Sequence, residues 1–153
     1  MSATKEWTFG THHARWENPD LLRVTFRGPT RVEDVDNLFA IYRALVTERP
    51  IFVIADISRS TIDKAARERF SHTIRAEWFH GIIYVGADAL QRAITKAIVL
   101  ALYLAGNWRV DVEFADTEEE AMGIISRIRR ARGVEPREVS ATRALMEEPR
   151  AQA

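Results

Sequence analysis

Five consecutive apolar residues, Ile51-Phe52-Val53-Ile54-Ala55, break off at Asp56-Ile57-Ser58, and a helical pattern resumes within a few residues. No other feature narrows the fold as far. An apolar run of strand length with no polar alternate reads as a strand buried inside a sheet, the kind found in α/β proteins. That strand delivers the polar stretch Asp56 to Asp63, read as a loop, to the mouth of the next helix. In open α/β sheets, sites gather at the carboxyl ends of the strands, where a rigid scaffold holds loops whose backbone N–H groups face outward. The Asp56 to Asp63 stretch is therefore the first place to look for function.

The flanking sequence supplies the remaining layers. Trp7 to Glu17 and Leu21 to Arg27 read as an antiparallel hairpin joined by the turn chemistry of Asn18-Pro19-Asp20, with Gly28-Pro29 ending the second strand. Thr30 and Glu33 stand at capping-box spacing before the stripe Val35, Leu38, Phe39, Tyr42, Leu45 and Val46. Ile62, Ala66, Phe70, Ile74 and Trp78 predict a second helix ending near Gly81, and Ile82 to Val85 a short buried strand. Asp88 caps a third helix running to about Ala105, stopped by Gly106-Asn107, and Val110 to Phe114 alternate as a last strand. Thr117 and Glu120 open a fourth helix. Its first turn is acidic (Glu118, Glu119, Glu120) and its end basic (Arg127, Arg129, Arg130, Arg132), as the helix dipole favours, and Gly133 stops it. The order β-β-α-β-α-β-α-β-α predicts an α/β fold: a mixed, mostly parallel, five-stranded sheet with helices packed on it. Residues 1–133 read as one domain. Residues 134–153 read as a charged tail in which Val139, Leu145 and Met146 mark a short docking helix.

Composition removes several classes of function. Lys+Arg and Asp+Glu both count 22, so no net field draws the chain to nucleic acid or an anionic membrane. The absence of cysteine excludes disulfides, thiolate metal sites and thiol nucleophiles, and suits a reducing compartment. The start, MSATKEWTFG, lacks the apolar core of a signal peptide, and no run is long enough to span a bilayer, so a cytoplasmic location is expected. His12 and His13 are adjacent in a strand and point to opposite faces; His72 and His80 are not at ligand spacing. Phosphate-binding glycine loops and nucleophile elbows are missing, and Asp56 and Asp63 have no third acid or base placed beside them. Neither an enzyme, nor a metal site, nor a cofactor is expected.

Ala55-Asp56-Ile57-Ser58 leading into Ile62-Asp63-Lys64-Ala65-Ala66-Arg67, with Phe26-Arg27-Gly28 before the first helix and Tyr84-Val85-Gly86-Ala87 before the third, which contains Arg92, resembles the STAS domain. The likeness is to its SpoIIAA-like branch of small stand-alone bacterial proteins and runs roughly from Glu6 to Gly133. It implies a regulatory module whose partner is a protein, such as a kinase resembling an anti-sigma factor that phosphorylates a serine at the start of the helix. Against that family's Asp-Ser-Ser-Gly-Leu, this chain has Asp63-Lys64-Ala65-Ala66-Arg67; the aspartate matches and the standard phospho-serine is absent.

Two functional surfaces follow. The first is a partner-binding segment comprising Asp56, Ser58, Arg59, Ser60, Thr61, Asp63, Lys64 and Arg67. Here Ser58, Ser60 and Thr61 are candidate phosphorylation sites, since a phosphoryl group there would meet a helix N-terminus and three cations. The competing structural role makes Ser60 or Thr61 the N-cap and Asp63 a first-turn acid. The second surface lies on the third helix, where Leu90, Ala93, Ile94 and Ala97 are expected inward and Gln91, Arg92, Thr95 and Lys96 outward. Further along, Val99, Leu102 and Tyr103 make the outer face apolar too. Its cover is the chain's own tail, a second copy in a homodimer, or an apolar ligand such as a lipid; the last makes the chain a carrier or sensor.

Overall fold

The computed structural model describes residues 5–133, apart from 48 and 107. Six strands lie in strictly sequential order: β1 (Glu6–Phe9), β2 (His12–Glu17), β3 (Leu21–Thr30), β4 (Ile51–Ile62), β5 (Phe79–Val85) and β6 (Asp111–Ala115). β1, β2 and β3 pair antiparallel, and β3 to β6 pair parallel. The α/β class and mixed sheet agree with the sequence reading; the strand count is six, not five. Trp7 to Glu17 is two strands, because Gly10 takes a left-handed turn (φ 58°) in a place where an added Cβ would stand 2.4 Å from the Asp34 carboxylate.

Sequential order dictates where the helices go. When each parallel step advances in the same direction, right-handed crossovers put every connecting helix on one face. α1 (Val32–Leu45), α2 (Lys64–Thr73) and α3 (Ala89–Leu104) accordingly share a face, packed around Leu22, Val24, Ile51, Val53, Ala55 and Ile82. α4 (Glu118–Arg132), which follows the last strand, covers the opposite face with Ala121, Ile125 and Ile128 against Phe52, Ile54 and Ile83. The residues of β4 from Ile51 to Ala55 are all buried, alternating between the two cores.

Several boundaries move. β4 does not stop at Asp56: it continues to Ile62 beside Arg27 to Thr30 of β3, which likewise runs past Gly28-Pro29. The predicted loop is thus mostly strand. Arg31, not Thr30, is the N-cap of α1, and the Asp34 carboxylate accepts the Arg31 N–H at 2.9 Å. Thr30 is instead buried, 3.5 Å from Nε2 of His12. That buried His12 ring accepts the Arg27 N–H at Nδ1 (2.9 Å), so its proton sits at Nε2, 3.4 Å from Asp34. α2 ends at Thr73, and a short 3-10 turn, Ala76–Trp78, leads directly into β5 at Phe79, so Ile74 and Trp78 pack beside the helix and not on it. The expected tail helix at Val139, Leu145 and Met146 lies outside the described residues.

Three of the four α4 arginines, Arg127, Arg129 and Arg132, are engaged in ion pairs, and Arg130 is exposed. Arg129 grips Asp20 through two hydrogen bonds of 2.9 and 2.7 Å, the side chains 14% and 4% exposed, with its guanidinium 4.8 Å over the Phe52 ring. Arg127 pairs with Glu113 and Arg132 with Asp111. Arg129→Ala strands a buried carboxylate and is expected to cost about 3–5 kcal/mol in chemical denaturation.

His80, against Phe52 at the same face, has its pKa held below the ordinary 6.5 by burial; Asp20 opposes this, while Arg132, Arg129 and Arg49 reinforce it. The unfolded chain therefore binds this proton more readily than the folded one. The stabilisation is complete above about pH 6.5 and is lost as pH falls from there through the folded value. Stability measured across that window should decline, and His80→Phe should flatten the decline.

Candidate functional site

At the carboxyl end of the sheet β4 bends. Thr25 pairs with Asp56 and Arg27 with Arg59, so two steps on β3 face three on β4, and the extra residue forms a β-bulge. Asp56 stitches the bulge: its Oδ1 accepts the Ser58 N–H (3.0 Å) and the Ser58 hydroxyl (2.7 Å). Gly86, at φ 74°, lies so close that an added Cβ would stand 2.7 Å from that of Ser58. Ser60 donates its hydroxyl to the Ile57 carbonyl at 3.1 Å. Asp63 then caps α2, accepting the Ala66 N–H at 2.7 Å. The N-cap is thus neither Ser60 nor Thr61, and Asp63 is the cap itself, not a first-turn acid. Asp56 and Asp63 are both spent on local backbone geometry.

Of the segment singled out in the sequence, Ser58, Arg59, Thr61, Asp63 and Lys64 are exposed, while Asp56, Ser60 and Arg67 are half-buried. Gln91, assigned outward from the sequence, is the residue the reading missed. Its amide donates to the carbonyls of Ile57 (2.7 Å) and Ser60 (3.1 Å), and its oxygen accepts the Asp88 N–H (2.8 Å). One carboxamide thus ties α3 to the bulge of β4. The signal was available: Asp88 and Gln91 stand at capping-box spacing, and that box forms.

α3 is rotated from the orientation expected, although Ile94 is half-buried and Lys96 exposed, as the sequence reading has them. Gln91, Arg92, Thr95, Val99 and Leu102 are half-buried, whereas Ala93, Ala97 and Ala101 are exposed together with Leu90 (69%), Tyr103 (64%) and Leu104 (74%). No residue of the helix is fully buried. Beneath it lies a cavity of about 380 Å³, walled by Val53, Ala55, Ile82 and Tyr84 of the sheet, Leu38 and Tyr42 of α1, Phe70 of α2, and Ile94, Val99 and Leu102 of α3. Val99 and Leu102 thus line a cavity, while Tyr103 borders a neighbouring, more open groove that also takes in Arg92 and Leu100 and shares Val99 with the cavity. Burial raises the phenol of Tyr84 to about 12 and pushes that of Tyr42 up as well, so neither wall carries charge in the physiological range. Among the described residues, the indole N–H of Trp108 is buried without a hydrogen-bond partner at the far end.

Among the described residues no group of three or more His, Asp or Glu is placed to hold a metal, and no helix is long and apolar enough to cross a membrane. His12 is buried and His13 exposed, 3.8 Å from Glu6, on opposite faces as their adjacency requires.

The fold is SpoIIAA-like. A protein of the DUF3478 family from Shewanella loihica PV-4, described as having a SpoIIAA-like fold, overlays with a TM-score of 0.52 at 16% identity, covering 80% of this chain and 95% of that one. The anti-sigma factor antagonist SpoIIAA in its unphosphorylated form aligns over 81% of this chain and 98% of its own, at 14% identity and a TM-score of 0.39. No family model matches the sequence, and no curated protein sequence matches it.

Gln91→Ala should leave the Ser60 carbonyl without this donor and the Ile57 carbonyl with the Ser60 hydroxyl alone. The expected outcome is a loss of about 1–3 kcal/mol and faster amide hydrogen exchange in α3 than in α1 by mass spectrometry. Asp63→Ala should cost about 1 kcal/mol without that selective effect on α3.

Proposed function

We propose that residues 1–133 form a non-catalytic regulatory module of STAS type, working in the cytoplasm, which presents Asp56 to Arg67 to a protein partner. The carrying observation is the bulge at the end of β4. Asp56, Gly86 and Gln91 fix its backbone from three sides, while Ser58, Arg59, Thr61 and Lys64 stay exposed. Recognition surfaces of this kind lose little entropy on binding because the backbone is ordered beforehand. The standard phospho-serine is absent; Ser58 and Thr61 are the exposed hydroxyls of the segment, and a phosphoryl group on Ser58 would meet the Asp56 carboxylate as a like charge. Residues 134–153 are read as a charged tail appended to the module.

The test is affinity capture with matched variants. A protein retained by the wild type should be lost with Arg59→Glu/Lys64→Glu or Ser58→Glu and kept with Arg130→Glu, which changes an exposed residue on α4 across the sheet. Capture that responds alike to all three variants would count against the reading.

A second reading, favoured by the cavity beneath α3, makes the chain a carrier or sensor of an apolar small molecule. A volume of about 380 Å³ with mostly apolar walls falls within the range of ligand pockets. Native mass spectrometry of protein purified without detergent should then show an added mass that denaturation releases. A clean mass would favour the interaction module alone, and a doubled mass a homodimer.

A further inference from the structure

The cavity is drawn out along α3. Its walls take in that helix from Leu90 to Leu102, a rise of ~18 Å. A volume of about 380 Å³ over that length is a slot, suited to a chain more than to a compact ring system. One end lies at the bulge of β4, among Ser60, Thr61, Arg67 and Gln91; the other lies at Trp108 and Ile74. Polarity is confined mainly to the first end, and most of it is already in use. Gln91 spends its amide on Ile57, Ser60 and Asp88, Asp88 spends its carboxylate on the Gln91 N–H, and Ser60 donates to Ile57.

Arg67 is different. Among the described residues it is the one cation in the wall of the slot, and it is half-buried. The other cations flanking it on α2 have acidic partners, Lys64 with Glu68 at 4.0 Å and Arg69 with Asp36 at 2.8 Å. Among the described residues no carboxylate lies within ion-pair distance of the Arg67 guanidinium, and the first turn of α2 contains no acid to balance it. A half-buried cation with no ion-pair partner among the described residues, at the mouth of an apolar slot, is complementary to an amphiphile with an anionic head.

We propose that the slot binds a single-chain alkanoic acid, its carboxylate on Arg67 at the β4 bulge and its chain running beneath α3 toward Trp108. This rests on the second reading above, in which the cavity holds a ligand. A carboxylate fits better than a phosphate, because one guanidinium matches its two oxygens in a bidentate pair, whereas a dianionic phosphate would require further cations that the slot does not offer.

Isothermal titration calorimetry with decanoate, decanol and decyl phosphate, each below its aggregation threshold, tests this on the wild type and on Arg67→Met. Decanoate is expected to bind one per chain, and Arg67→Met to weaken it about tenfold or more, the loss of a charge-assisted pair. Decanol should bind both proteins alike, which also shows that the variant keeps its slot. Decanoate binding that ignores Arg67→Met, or decyl phosphate binding more tightly than decanoate, would overturn the head-group assignment while leaving an apolar-ligand site in place. Failure of all three probes to bind the wild type would overturn the site itself.

Discussion

Burial of β4 on both sides is the constraint from which the rest of the molecule follows. Ile51, Val53 and Ala55 enter one core, and Phe52 and Ile54 the other, so each face of the sheet needs a cover. Sequential strands with crossovers of one hand send three helices to one face and leave the other to α4. That imbalance explains why α4 is held so firmly. Its own apolar contribution to the core is short, mainly Ala121, Ile125 and Ile128, and the Asp20–Arg129 pair fixes its far end against the turn before β3. A pair so enclosed adds position more than net stability, since both charges have been taken out of water.

On the crowded face the third helix has the least sheet left to cover. α1 and α2 pack against each other through Phe39 and Phe70, ring centroids 5.3 Å apart, and bury most of the centre. α3 lies over the β5–β6 edge, where Tyr84 and Val112 are only partly buried and Arg92 and Lys96 stand 5.1 and 6.0 Å from the Phe114 ring. It touches the body at its first turn, through Gln91, and through Val99 and Leu102 further on, with the slot between. The slot is therefore a consequence of topology as much as of side-chain choice.

The two periodicities were legible where one face of an element is clearly apolar. The stripe through Val35, Leu38, Phe39 and Tyr42 gave α1, and the apolar run gave the first half of β4. They were not legible where both faces carry apolar residues. Leu90, Ala93, Ile94 and Ala97 look like a buried stripe, yet Leu90 is mostly exposed, because hydrogen bonding by Gln91 turns the polar side of the first turn toward the bulge. Periodicity reports that a helix has two faces; which one faces the sheet depended here on two carbonyls thirty or so residues away. The second half of β4 was hidden for a related reason. Asp56, Ser58, Arg59 and Ser60 have loop composition, and nothing local announces that β3 continues past Gly28-Pro29 to pair with them. The serine and aspartate side chains of the segment could be picked out along the chain, but the cavity needed the tertiary arrangement of seven elements, β3 to β6 and α1 to α3, to exist at all.

The display segment and the slot share one piece of covalent structure, the residues from Ile57 to Thr61, and one hydrogen-bonding side chain, Gln91. Ile57, Ser60 and Thr61 belong to the wall of the slot, while Ser58 and Arg59 are exposed outside it. An occupant that shifts the first turn of α3 must act on the Gln91 bonds to Ile57 and Ser60, which are also the bonds that hold the bulge in shape. Coupling between two sites needs each ligand to prefer the same arrangement of a shared element. Here that element is a bulge held to a helix by a single carboxamide, and the helix buries no residue completely, so the free energy separating its arrangements is small compared with that of the core. A partner gripping Arg59 and a chain lying under α3 would then read the same geometry.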